Sequence, residues 1–130
     1  MDDIQDFIEQ PPQENFQAAQ QDLKLTPQEA DLYQRHLSNL YGSGGVDNPD
    51  GSRSTLYQLS FEGNGKTYNV PTVYNGAILP PDQAITKAYE QGIDKFPSYN
   101  TPEEAEARYN AMHGYMERDT GKYLAARTRK

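Results

Sequence analysis

The sequence feature that most limits how this chain can fold is an alternating stretch closed by a glycine turn. From Thr55 to Phe61, Tyr57, Leu59 and Phe61 fall on one side and Gln58 and Ser60 on the other. Gly63-Asn64-Gly65 supplies the positive φ that a tight turn needs, and Lys66 to Tyr74 returns with Tyr68, Val70, Thr72 and Tyr74 on one side, which predicts a hairpin over 54–75. A lone hairpin is only marginally stable in water, so this one has to lie on helices. Pro71 cannot donate to a ladder, which places the return strand at an edge or gives it a bulge. The expected fold class is therefore α+β: a small antiparallel hairpin or sheet packed on about three helices, with extended tails at both ends.

The helices announce themselves by their starts. Thr26, Pro27 and Glu29 form an N-cap, an N1 proline and the return half of a capping box, which predicts a helix over 25–41. Its buried face is Ala30, Tyr33, Leu37 and Leu40, with His36 near the edge as a packed or surface residue rather than a ligand and Gly42 as the stop. Pro80-Pro81 opens a helix over 81–92, striped by Ala84, Ile85, Ala88 and Tyr89 and ended by Gly92. Thr101, Pro102 and Glu104 repeat the first start and predict a helix over 101–119, with Ala105, Tyr109, Met112 and Met116 on one face and Gly121 as a stop. The shared Pro-x-x-Ala at the three starts is recurring start chemistry, because the elements between them do not repeat.

Outside this module, predicted as 25–119, lie two polarised ends. Residues 1–24 read as an extended, acidic, Gln-rich arm with Lys24 as its only base and Pro11-Pro12 as a helix block. Ile4, Phe7 and Ile8 make one short apolar stripe and Phe16 a second anchor. These four dock on a neighbouring subunit, or else are disordered or fold back on their own domain. Residues 120–130 read as a basic tail, in which Lys122, Tyr123, Arg127 and Arg129 are candidate contacts to an acidic protein surface.

Composition narrows the function classes. The 130 residues are 35% apolar, with mean hydropathy -0.97, so the core is modest and a large self-contained enzyme is disfavoured. The net charge of -7 argues against a general phosphate-backbone binder. The chain has no cysteine, which removes disulfides, thiolate nucleophiles and Cys-based zinc sites. No apolar run approaches the roughly 18 residues of a membrane span, and no signal peptide opens the chain, so a soluble protein made in the cytoplasm is expected. Ten tyrosines and no tryptophan suit a thin core or a protein interface.

No catalytic constellation is visible. His36 and His113 stand far apart, and Glu103, Glu104 and Glu106 are explained by the positive end of a helix dipole. Asn48, Pro49, Asp50 and Gly51 are turn chemistry, and Asp47 to Gly51 lacks the ligand alternation of a calcium loop. Met112, His113 and Met116 are core packing rather than soft-metal ligation. No catalytic residue, metal or cofactor is expected.

The run Asn48-Pro49-Asp50-Gly51-Ser52-x-Ser54-Thr55, the hairpin, and Val70-Pro71-Thr72-Val73-Tyr74-x-Gly76-x-Ile78-Leu79 resemble a small module of tailed-bacteriophage virion proteins. Phe96-Pro97-Ser98-Tyr99, Thr101 to Ala107 and Met112-His113-Gly114-Tyr115-Met116 extend the resemblance over about 41–119. In that family the module sits within or beside internal or tail-associated proteins, some with peptidoglycan-cleaving domains. The resemblance implies a non-enzymatic structural virion protein, present in many copies and bound to portal, tail or major capsid protein. Capsid decoration is one alternative and an accessory role in peptidoglycan degradation another. A third is a host-directed regulator absent from particles. The implied location is the virion, after synthesis in the host cytoplasm.

Overall fold

The computed structural model describes residues 11–128. Its elements are α1 (Glu14–Leu23), α2 (Pro27–Tyr41), β1 (Val46–Asp47), β2 (Arg53–Ser54), β3 (Leu59–Gly63), β4 (Lys66–Val70), β5 (Val73–Tyr74), β6 (Ala77–Ile78), α3 (Pro81–Gln91), a 3-10 turn (Ile93–Lys95), β7 (Ser98–Tyr99) and α4 (Pro102–Thr128). Among the described residues, four helices and three small antiparallel sheets make the fold α+β, as expected from the sequence.

Most local signals act where they were read. Thr26 accepts from the Glu29 N–H at 3.1 Å and donates its own N–H to Glu29 Oε1 at 3.0 Å, a complete capping box. Gly92 ends α3 with φ +106°. The hairpin pairs Leu59 with Val70 and Phe61 with Tyr68 across the Asn64-Gly65 turn.

Several expectations are corrected. The segment read as an extended arm contains α1, because Phe16, Ala19 and Leu23 recur on one face and pack against α2 and α4. Ile4, Phe7 and Ile8 lie outside the described residues. The third predicted helix does not stop at 119 or at Gly121; α4 is 27 residues long from Pro102 to Thr128, so the basic tail is helical as far as Thr128. The hairpin is shorter than 54–75. Tyr57 is outside it, and Pro71 follows the end of β4 rather than marking an edge strand. β4 is in fact the central strand, since β7 pairs with its other side at Thr67↔Tyr99 and Tyr68↔Ser98. Val73-Tyr74 instead forms its own small turn with Ala77-Ile78.

Two apolar clusters result. Leu32, Tyr33, Leu37, Leu56, Met112 and Met116 close the first, with Ala19 and Phe16 from α1. Tyr68, Val70, Ala88 and Phe96 close the second, between the sheet and α3. The other face of β4 meets α4, where Asn69 donates to the Ala105 carbonyl at 3.0 Å.

Candidate functional site

The turn that looked purely local and the tail that looked free come together. Asp50 Oδ1 accepts from the Ser52 N–H at 3.0 Å and the Ser52 hydroxyl at 2.6 Å, and Gly51 takes φ +92°. Asn48 donates to the Ser52 and Ser54 hydroxyls, both at 3.0 Å. The turn thus satisfies itself and delivers Arg53 to the C-terminus of α2. There the Arg53 guanidinium donates to the carbonyls of Asn39 (3.0 Å), Leu40 (3.1 Å) and Gly42 (2.6 Å). A cation on the last carbonyls of a helix both fills orphan acceptors and meets the dipole.

Arg53 also pairs with Asp47 at 2.9 Å, and Arg127 reaches the same carboxylate at 3.0 Å. Hydrogen bonds from Arg127 and then Arg53 hold the Asp47 carboxyl below its ordinary value. The Tyr123 ring lies under both guanidiniums, at 5.5 Å from Arg53 and 5.1 Å from Arg127, and stands edge-on to Tyr41. Lys122 pairs with Glu14 at 3.1 Å. Three of the four basic-tail candidates therefore make contacts within the chain; Arg129 lies outside the described residues. Phe16 likewise packs edge-on against Tyr33 at 5.3 Å.

Two buried polar assemblies were not foreseen. Glu29, fully buried, accepts from Arg108 Nη2 (2.8 Å), Arg108 Nε (3.0 Å), the Tyr99 hydroxyl (2.6 Å) and the Thr26 N–H (3.0 Å). Burial by itself pushes its carboxyl up, but the hydrogen bonds from Arg108, Tyr99 and Thr26 prevail and hold it below the ordinary value. Arg108 also donates to the Leu23 carbonyl at 3.0 Å, so one side chain joins the end of α1, the start of α2 and α4.

The second assembly centres on Asp119, which accepts from the Tyr33 hydroxyl at 2.6 Å and from Asn15 at 3.0 Å. His36 Nε2 stands 3.8 Å from Asp119, and His36 Nδ1 lies 2.7 Å from the Thr55 hydroxyl. Burial opposes the Asp119 charge, yet its partners His36, Tyr33 and Asn15 hold its carboxyl below the ordinary value. A hydroxyl, an imidazole and a carboxylate thus lie in a row beneath a cleft of about 240 Å³ lined by His36, Thr55, Tyr57, Tyr109, His113 and Glu117. The row differs from a working nucleophile relay in three respects, the first being that Nδ1 rather than Nε2 faces the hydroxyl. The Nε2 to carboxylate distance exceeds a hydrogen bond, and that carboxylate oxygen is already held by Tyr33. Sequence spacing carried no signal for either assembly, since Glu29 and Arg108 are 79 residues apart and Tyr33 and Asp119 86.

At the rim of this cleft stands Tyr57. It is 66% exposed and has φ +44°, which costs a residue with a side chain about 1 kcal/mol or more. Thr72 holds the segment on both sides: its N–H donates to the Leu56 carbonyl at 2.8 Å and its hydroxyl to the Tyr57 carbonyl at 2.8 Å.

Among the described residues, no three His, Asp or Glu side chains cluster as a metal site, and no helix is long and apolar enough to cross a membrane. Comparison with protein-family models, curated proteins and solved structures found no match to this chain.

Proposed function

We propose that this protein is a non-enzymatic structural component of a tailed-bacteriophage particle, working through contacts of its compact module with neighbouring virion subunits. The carrying observation is Tyr57. A large aromatic ring is held outward on strained backbone, clamped by Thr72, beside an open cleft. An exposed tyrosine on a fixed backbone offers much area for burial on binding, which is how interface anchors behave. The buried carboxylates Glu29 and Asp119 are tied into cross-element bonds, which suits structural work. The particle setting rests on the sequence resemblance over about 41–119. Tail, portal and capsid-surface positions all fit this reading.

The test is incorporation. Mass spectrometry of purified particles should detect the chain, and Tyr57→Gly should remain folded yet be depleted from particles several-fold. Full incorporation of Tyr57→Gly, or particles that lack the wild-type chain, would refute the proposal.

One observation favours a second reading, hydrolysis of a cell-wall polymer: the Thr55–His36–Asp119 row below its cleft. Purified protein would then degrade peptidoglycan, and His36→Gln would abolish the activity without unfolding the chain.

A further inference from the structure

We infer that two copies of this chain join edge to edge through β3, antiparallel about a two-fold axis at Phe61, so that two three-stranded sheets become one. The sheet order is β3-β4-β7, which leaves β3 at an edge. Which of its backbone groups are free follows from β4. The Asn69 N–H donates to the Pro97 carbonyl at 3.1 Å, on the side away from β3. Asn69 faces Ser60 in the register, so these two form a non-hydrogen-bonded pair. By alternation the same holds for Glu62 and Thr67, while Leu59, Phe61 and Gly63 bond β4. The N–H and C=O of Ser60 and Glu62 therefore point outward from the sheet, and no described backbone group pairs with them. Strand edges are commonly blunted by proline, lysine or a bulge. Leu59–Gly63 has none of these, and its register against β4 runs unbroken.

The occupant is a second copy because this edge is complementary to itself in one register. With Phe61 opposite its own copy, each Ser60 faces the other copy's Glu62, and every outward N–H meets an outward C=O. On the α3 face the two Phe61 rings then meet between the two Tyr68 rings, extending the Phe61–Tyr68 stack, whose centroids lie 5.5 Å apart. The same register sets each Leu59 opposite a Gly63, which has no side chain to compete. The Tyr89 ring stands there instead, its hydroxyl 2.8 Å from where a Gly63 Cβ would be. Tyr89 is 45% exposed, and Leu59 and Phe61 are half-buried, so this rim has apolar surface left to cover. Charge selects the register as well. Sliding the copies by two residues toward the turn sets Glu62 directly against Glu62, which is destabilising. The opposite slide separates the Phe61 rings and pairs Glu62 with Gln58, which lies outside β3. A few backbone bonds and one aromatic row make a modest interface, so the dimer should form in about the micromolar range or above. This pairing is independent of the particle setting.

Sedimentation of the full chain should show monomer passing to dimer as concentration rises. In hydrogen exchange resolved by residue, the Ser60 and Glu62 amides should slow several-fold as the dimer fills. The Phe61 and Gly63 amides, bonded to β4, should stay slow throughout. Ser60→Pro removes a donor that β4 does not use, so it should keep the fold and weaken dimerisation about tenfold or more. Should that variant unfold, the wild-type exchange pattern decides by itself. Four results would each overturn the inference. A chain that stays monomeric at every concentration leaves the edge to a strand of another protein. Slow Ser60 and Glu62 amides in a monomer report a covering segment of the chain itself. A dimer in which those two amides exchange as in the monomer joins through another surface. Undiminished dimerisation of a folded Ser60→Pro shows that the edge bonds are not made.

Discussion

Where α1, α2 and α4 meet, two carboxylates and an imidazole lie inside the protein, at Glu29, Asp119 and His36. Where the sheet meets α3, the interior is Tyr68, Val70, Ala88 and Phe96. The sheet side is held by area removed from water, which is non-directional and insensitive to pH. The helical side adds directional bonds that accept one arrangement of three helices. Buried ion pairs contribute little net stability over an apolar core, but removing one partner is costly. The two regions should therefore respond differently to the same kinds of change.

The largest difference should come from Arg108→Ala. It strands the fully buried Glu29 carboxylate with only Tyr99 and Thr26 as donors, and should cost about 3 kcal/mol in urea unfolding at pH 7. Val70→Ala in the sheet cluster should cost about 2 kcal/mol through lost burial and a small cavity. The comparison sharpens on acidification. The Arg108→Ala penalty should shrink by pH 4 and below, as Glu29 takes a proton, while the Val70→Ala penalty should not change. Equal pH dependence of the two would break the distinction.

In the wild-type protein the sign follows from the two lowered carboxyls. Glu29 and Asp119 titrate in the fold below their ordinary values of 4.5 and 3.8, so the unfolded chain binds protons first as pH falls. The stability they contribute is complete above those values and is lost as pH falls through the still lower folded values. Urea midpoints measured from pH 7 to pH 2.5 should decline below about pH 4.5, and Glu29→Gln should flatten that decline while lowering the pH 7 midpoint. The smallest effects should be gains. Gly114 and Gly121 sit inside α4 with open space where a Cβ would be, so each alanine substitution should add about 0.5–1 kcal/mol, read as a rise in Tm.

How much of this was legible depends on the range of each signal. The α2 capping box, the Gly92 stop and the Asn64-Gly65 turn lie within a few residues, and each sits where it was read. Gly121 misled because a glycine only disfavours helix by about 1 kcal/mol, and the Tyr123, Arg127 and Lys122 contacts outweigh that. α1 was obscured by its glutamines; Phe16, Ala19 and Leu23 matter only once α2 and α4 are there to receive them.

By itself, then, the sequence determined the α+β class, the starts of α2, α3 and α4 and the hairpin turn, because those depend on hydrogen bonds and φ angles among near neighbours. Tertiary structure alone decided that the capping-box Glu29 is also the buried partner of Arg108, that β7 makes β4 central, and that Arg53 closes α2 beneath the end of α4. Each of these needs a charge or a strand edge satisfied by a group far away in the chain. Only the packed fold brings such a group close enough to offset the desolvation.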